Sequence, residues 1–128
     1  MHPWRIIFRI WILKITDNLG TTNPFSERER NMHHVMIHPA GYDTCRKAVD
    51  RAFELFSMQI AQKKVLIKPN VLRASKAEEH IVTHPSILRA VVEKVEEMGP
   101  AEIIVGDNPG LFNYGDNENS FRTTGLME

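Results

Sequence analysis

From His34 onward, apolar and polar positions fall into a regular order. Val35-Met36-Ile37 is a short apolar run closed by Pro39 and Gly41, which reads as a buried strand. Asp43 is placed to cap a helix in which Cys45, Ala48, Val49, Ala52, Phe53 and Phe56 recur at three- and four-residue steps. Arg46, Lys47, Asp50, Arg51 and Glu54 fall mostly on the other side of that helix. Lys64-Val65-Leu66-Ile67-Lys68 predicts a second strand, stopped by Pro69, which lacks the backbone donor that a central ladder uses. After a polar loop, Pro85 suits the first position of another helix, with Leu88, Val91, Val92, Val95 and Met98 inward and Gly99-Pro100 as its stop. Ala101 to Val105 predicts a third strand running into Gly106-Asp107-Asn108-Pro109-Gly110.

The order strand, helix, strand, helix, strand points to an α/β fold with a partial parallel sheet. All three strand cores are continuous apolar runs, the pattern of strands covered on both faces. Two helices cannot cover both faces well: in a one-directional strand order both fall on one face, in an order reversing at the first strand each face receives one, and either way the sheet edges stay open unless another segment lies over them. Leu111 to Glu128 is mostly polar, with a further helix expected to start near Phe121. The expectation is an incomplete domain spanning residues 32–128, preceded by an unmatched extension, residues 1–31. Within that extension, Trp4 to Ile15 is apolar but broken by Arg5, Arg9 and Lys14, too short for a membrane span of about 20 residues. No small-x-small cleavage site follows it, so it reads poorly as a signal peptide. Arg5 and Arg9 would share a helix face, which leaves contact of residues 4–15 with a membrane surface as a minor alternative.

Composition adds bounds to this picture. The chain has 128 residues, 42% hydrophobic and 25% charged, which excludes disorder by charge and any collagen-like or coiled-coil class. Sixteen Lys+Arg balance sixteen Asp+Glu, so phosphate-neutralising nucleic-acid binding has no support. The single cysteine, Cys45, cannot form an internal disulfide, which suits a reducing, cytoplasmic setting. Nor can one thiolate hold an iron–sulfur cluster, so none is expected to be ligated by this chain alone.

Chemistry in open parallel sheets collects outside the carboxyl ends of the strands. Lys68 and Asn70 follow the second strand, Asp107 and Asn108 the third, so all four are candidates for one ligand-binding edge. A lysine there could neutralise a phosphate or carboxylate, the two asparagines could hydrogen-bond, and Asp107 could bind a metal or act as a base. Each residue alone is equally well explained by turn chemistry. Thr83-His84-Pro85 lies at a helix start, where free amides can hold an anion and where Thr83 or His84 would also serve as a simple cap. His80 and His84 are four apart, but Pro85 biases His84 away from helix, and His34 and His38 flank a strand, so no metal site is expected. The dinucleotide fingerprint, the phosphate-binding loop ending Gly-Lys-Ser/Thr and the Gly-x-Ser-x-Gly elbow are all missing. Cys45, on an inner helix face, reads as a buried thiol rather than a nucleophile.

Three motifs in order, Lys64 through Lys68-Pro69-Asn70, Val82-Thr83-His84-Pro85, and Ile103 through Gly106-Asp107-Asn108-Pro109-Gly110, resemble the N-terminal part of the domain of unknown function 362 family. The resemblance covers roughly His34 to Glu128 and marks Lys68, Asn70, Thr83, His84, Asp107 and Asn108 as the matching motif positions. It implies a longer protein, often carrying or accompanying a ferredoxin-like module with cysteine-ligated clusters. The expected function is therefore one wall of a small-molecule or cofactor site in a redox-associated protein, the cofactor itself being unknown. Expected partners are a C-terminal remainder, a ferredoxin-like module or a second copy. The competing expectation is a non-catalytic structural remnant or interaction segment. Under the first, Lys68→Ala and Asp107→Asn abolish ligand binding with little change in melting temperature.

Overall fold

A computed structural model describes residues 5–7, 35–108 and 117–127. Strand β1, Arg5–Ile7, pairs antiparallel with β2, Ile37–Pro39, placing Ile6 opposite His38. Helix α1 spans Cys45–Leu55, β3 Lys64–Ile67, α2 Pro85–Glu97, β4 Glu102–Val105 and α3 Asn117–Thr123, with a 3-10 turn at Ala77–Glu79. β3 and β4 pair in parallel, Lys64 opposite Glu102 through Ile67 opposite Val105. The α/β order is as the pattern of residues predicts, and the parallel ladder joins the second and third expected strands. The first expected strand lies two residues later than Val35–Ile37 and pairs with β1 in a separate sheet. Most of the amphipathic pattern of residues 4–15, as well as His34, Pro109 and Gly110, lies outside the described residues.

Helix α1 forms because its apolar residues share one face. Cys45, Ala48, Val49 and Ala52 are buried, as expected, and Phe53 packs beside them. Its N-cap is Thr44 rather than Asp43, and the Thr44 side chain turns back to accept a hydrogen bond from the Gly41 amide at 3.0 Å. The small alanines let α1 lie close to α2, which contributes Leu88, Ala90 and Val95 to the buried set. Cys45, Val49 and Ala90 form the centre, with Phe53, Ile87 and Val91 packed against them. Arg46 reaches across this seam to Glu93 at 3.0 Å and also meets Glu97, a pairing too solvated to weigh much against apolar burial. Pro85 opens α2 as predicted, and Gly99, at φ +68°, turns the chain out of it in a conformation that costs other residues more.

The sheet is covered on one side only among the described residues. Val65, Ile67 and Ile103 are partly buried, whereas Leu66 and Ile104, cross-strand neighbours on the opposite face, are 67% and 48% exposed. An apolar groove of about 250 Å³ also opens between α1, α2 and β3, lined by Phe53, Met58, Ile60, Val65 and Val91 among others. Continuous apolar strand runs thus coincide with a half-covered sheet. No helix among the described residues is long and apolar enough to cross a membrane.

Candidate functional site

β3 and β4 run in the same direction and in register, so the segments leaving their carboxyl ends emerge side by side. Lys68 directly follows β3, and Asp107 comes two residues after β4. The Gly106 amide extends the ladder by one bond, donating to the Ile67 carbonyl at 3.1 Å, and this brings Asp107 level with Lys68. Their side chains form an ion pair through Oδ1 of Asp107. The other oxygen, Oδ2, accepts a hydrogen bond from the Val71 amide at 2.7 Å. The Asp107 side chain is only 6% exposed, whereas Lys68 is 67% exposed.

Burial by itself pushes the Asp107 carboxyl pKa upward. The Lys68 ammonium and the backbone amides of Val71 and Asn108 outweigh that effect and hold the pKa below the usual aspartate value. Asp107 is therefore an ionised anchor with both oxygens engaged, which makes it poorly disposed to accept a further proton. It fastens the turn after β3 to the turn after β4 and fixes where the Lys68 charge is displayed.

Asn70 and Thr83 form a second clasp. The Asn70 amide donates to Thr83 Oγ1 at 2.8 Å, the Thr83 amide donates to the Asn70 carbonyl at 2.9 Å, and Asn70 Nδ2 donates to the Ile81 carbonyl at 3.0 Å. Since Asn70 precedes Val71, the two clasps share one stretch of backbone. Lys68, Asn70, Thr83 and Asp107 are thereby linked into one unit, and Asn108, exposed, follows at its rim.

His84 is turned elsewhere. It is the N-cap of α2, and its Nδ1 accepts from the Ser86 amide at 3.2 Å. Pro85 has no amide hydrogen, and the Ile87 and Leu88 amides both donate to the His84 carbonyl. The first amides of α2 are thus already satisfied, so the capping role of His84 is the one realised and no open anion hole remains there. The Tyr42 ring stacks on His84 with centroids 3.7 Å apart and planes 10° apart, and the Tyr42 hydroxyl lies 3.2 Å from His80 Nδ1. No group of three or more metal-ligating side chains is assembled among the described residues. Cys45 is buried, its thiol directed to the Tyr42 and Ser86 carbonyls, and burial pushes its pKa up, against a nucleophilic role.

Beside Asp107, a cleft of about 480 Å³ lies between the end of β4 and α3, lined by Val105, Gly106, Asn117, Glu118, Phe121, Leu126 and Met127 as well as Asp107. Glu118 is paired with Arg122 at 2.7 Å, so both cleft carboxylates have cationic partners. Helix α3 begins at Asn117, four residues ahead of the Phe121 start expected from the sequence.

Two contributors escaped the sequence pattern. Val71 acts through its amide, which every residue but proline possesses, so its side chain gives no signal. Tyr42 is a lone aromatic in a turn, with no periodicity to tie it to a histidine 42 positions later.

The family model described as Domain of unknown function (DUF362) matches residues 65–128, from β3 through the two clasps, the cleft and α3. No curated protein and no solved structure matches the chain. The matched half begins one residue into β3, while β2 and α1, included in the broader resemblance, lie before it. With half of its length matched, including all six motif residues, the chain belongs to the DUF362 family.

Proposed function

We propose that the carboxyl ends of β3 and β4 form one wall of a site for a small molecule or cofactor bearing a phosphate or carboxylate. The observation that carries this reading is the Lys68–Asp107–Val71 arrangement: a buried carboxylate holds an exposed ammonium at the edge where two parallel strands end. Lys68 would meet the anionic group, and the adjoining cleft offers Phe121, Leu126 and Met127 to an apolar portion. Asp107 positions Lys68, while Asn70 and Thr83 hold the loop; Asn108 stands at the rim for a polar contact. His84 supports the same loop as a helix cap. A cysteine-ligated cluster of the kind the resemblance implies would have to be held by a companion ferredoxin-like module, because this chain has one cysteine, which is buried.

Inorganic phosphate is the simplest probe of this site. Lys68→Ala is expected to weaken phosphate binding by about tenfold or more, as measured by calorimetry, the loss of one charge-assisted contact. Because Lys68 is the cation beside the 6%-exposed Asp107 carboxylate, Lys68→Ala should also lower the melting temperature, whereas Lys68→Arg, which keeps the charge, should leave it nearly unchanged. Lys68→Arg should retain part of the affinity. Equal phosphate affinity in Lys68→Ala and the parent would remove the site. The second reading, an interaction segment without a ligand, would then stand alone, and the exposed pair Leu66 and Ile104 favours it.

A further inference from the structure

We propose that His84 is a pH-sensitive clasp on this site: protonation of its imidazole uncaps α2 and loosens the adjoining contact between Thr83 and Asn70. The functional consequence rests on the ligand-site reading above; the clasp itself rests on local geometry. His84 lies outside the helix, at φ −69° and ψ 138°, and its Nδ1 is the acceptor for the Ser86 amide. Only the neutral tautomer with its hydrogen on Nε2 can accept there, since an imidazolium carries hydrogen on both nitrogens. A proton added at this point would face an N–H donor at the positive end of a helix of 13 residues. The Tyr42 ring, stacked at 3.7 Å, keeps the imidazole in that orientation.

The groups around His84 favour the neutral form on balance. Burial disfavours the charge most; Glu78, on the 3-10 turn, pulls the other way, and His80, at the end of that turn, adds to the opposition. From the side of α1 the neighbours are Tyr42 and Cys45, the thiol of Cys45 lying 3.4 Å from the Ser86 carbonyl. The His84 pKa therefore lies below the ordinary imidazole value in the folded chain. An unfolded histidine titrates near 6.5, so the cap contributes fully above about pH 6.5 and is lost as pH falls through the lower folded value. Thr83 is the residue next to His84 and makes both backbone-linked contacts to Asn70, so fraying of the first turn of α2 reaches the site within one residue.

The test uses the full chain without ligand. Nitrogen NMR of the imidazole is expected to find the hydrogen on Nε2 at about pH 7.5 and a midpoint below about 6.5. Hydrogen-exchange protection of the Ser86 and Asn70 amides, corrected for intrinsic exchange, should fall about three- to tenfold between roughly pH 7.5 and 4.5, the equivalent of losing an N-cap. His84→Asn supplies a cap that does not titrate and should flatten this fall, whereas His80→Asn should leave it in place. A hydrogen on Nδ1, or the same fall in protection in His84→Asn, would overturn the clasp. The imidazole measurement on the parent chain decides even if a variant misfolds. Phosphate binding at about pH 7.5 judges the ligand site separately: its absence leaves the clasp intact, and intact binding with flat protection removes the clasp alone.

Discussion

Asp107→Ala is expected to destabilise the chain by about 1–3 kcal/mol, the cost of leaving the buried Val71 amide without its acceptor. For a domain of this size that is a fall of several degrees or more in melting temperature, roughly 4–8 °C per kcal/mol. Phosphate binding should be lost at the same time, because Lys68 is no longer held at the strand ends. The bonding around Asp107 alters the simpler expectation that a change here would spare stability. Even Asp107→Asn, whose amide oxygen can still accept from Val71, sets an NH2 group against the Lys68 ammonium. The effect also has a sign in pH. The folded-state pKa of Asp107 is depressed, so the unfolded chain binds the proton first on acidification. The contribution is present above the unfolded value of about 3.9 and disappears as pH falls through the folded one. Urea unfolding of the parent and Asp107→Ala across this range checks it: the two curves should converge in acid.

Val49→Asp should have a still larger effect. Val49 is about 1% exposed at the centre of the α1–α2 seam, against Cys45, Ala90, Phe53, Ile87 and Val91. A carboxylate there would be buried among apolar groups with no cation beside it, a penalty of about 3–5 kcal/mol. With small domains holding roughly 5–15 kcal/mol of total stability, the variant should lose cooperative unfolding at physiological temperature. Val49→Ala, which only removes packing, should cost about 2 kcal/mol and keep the transition two-state. Near-native urea curves for Val49→Asp would show that the seam between α1 and α2 is not the core.

These contrasts indicate what the amino-acid pattern could reveal. The helices were legible because Ala48, Val49 and Ala52 in α1, and Leu88 and Val95 in α2, repeat at helical spacing, and because Pro85 and Gly99 mark the limits of α2. The parallel direction of β3 and β4 followed from the alternation of strands and helices, whereas their adjacency did not, because the first expected strand could equally have lain between them. The pairing of β2 was not legible, since the partner of a strand is chosen by where the chain lies in space, and Arg5 to Ile7 sits in a segment whose charges suggested helix. Apolar runs such as Val65 to Ile67 predicted two covered faces, but a run cannot distinguish a covered face from one left bare, and Leu66 is bare. Within the site, Lys68 and Asp107 were recognisable by their positions after successive strands. That Asp107 would be an anchor rather than a base depended on the Val71 amide, which sequence does not display. His84 was recognisable as a cap or an anion holder, and the satisfied amides of α2 decide for the cap.

In the proposed site, Lys68, fixed by Asp107, presents its charge to an anionic ligand at the carboxyl ends of β3 and β4. Titration of the nitrogen-15-labelled full chain with inorganic phosphate at about pH 7.5 tests it most directly. Saturable amide shifts are expected at Lys68, Asn70 and Val71 and at residues 106–108, and none in Lys68→Ala. No saturable shift, or shifts centred on Lys63 and Lys64 with these residues unmoved, would contradict it.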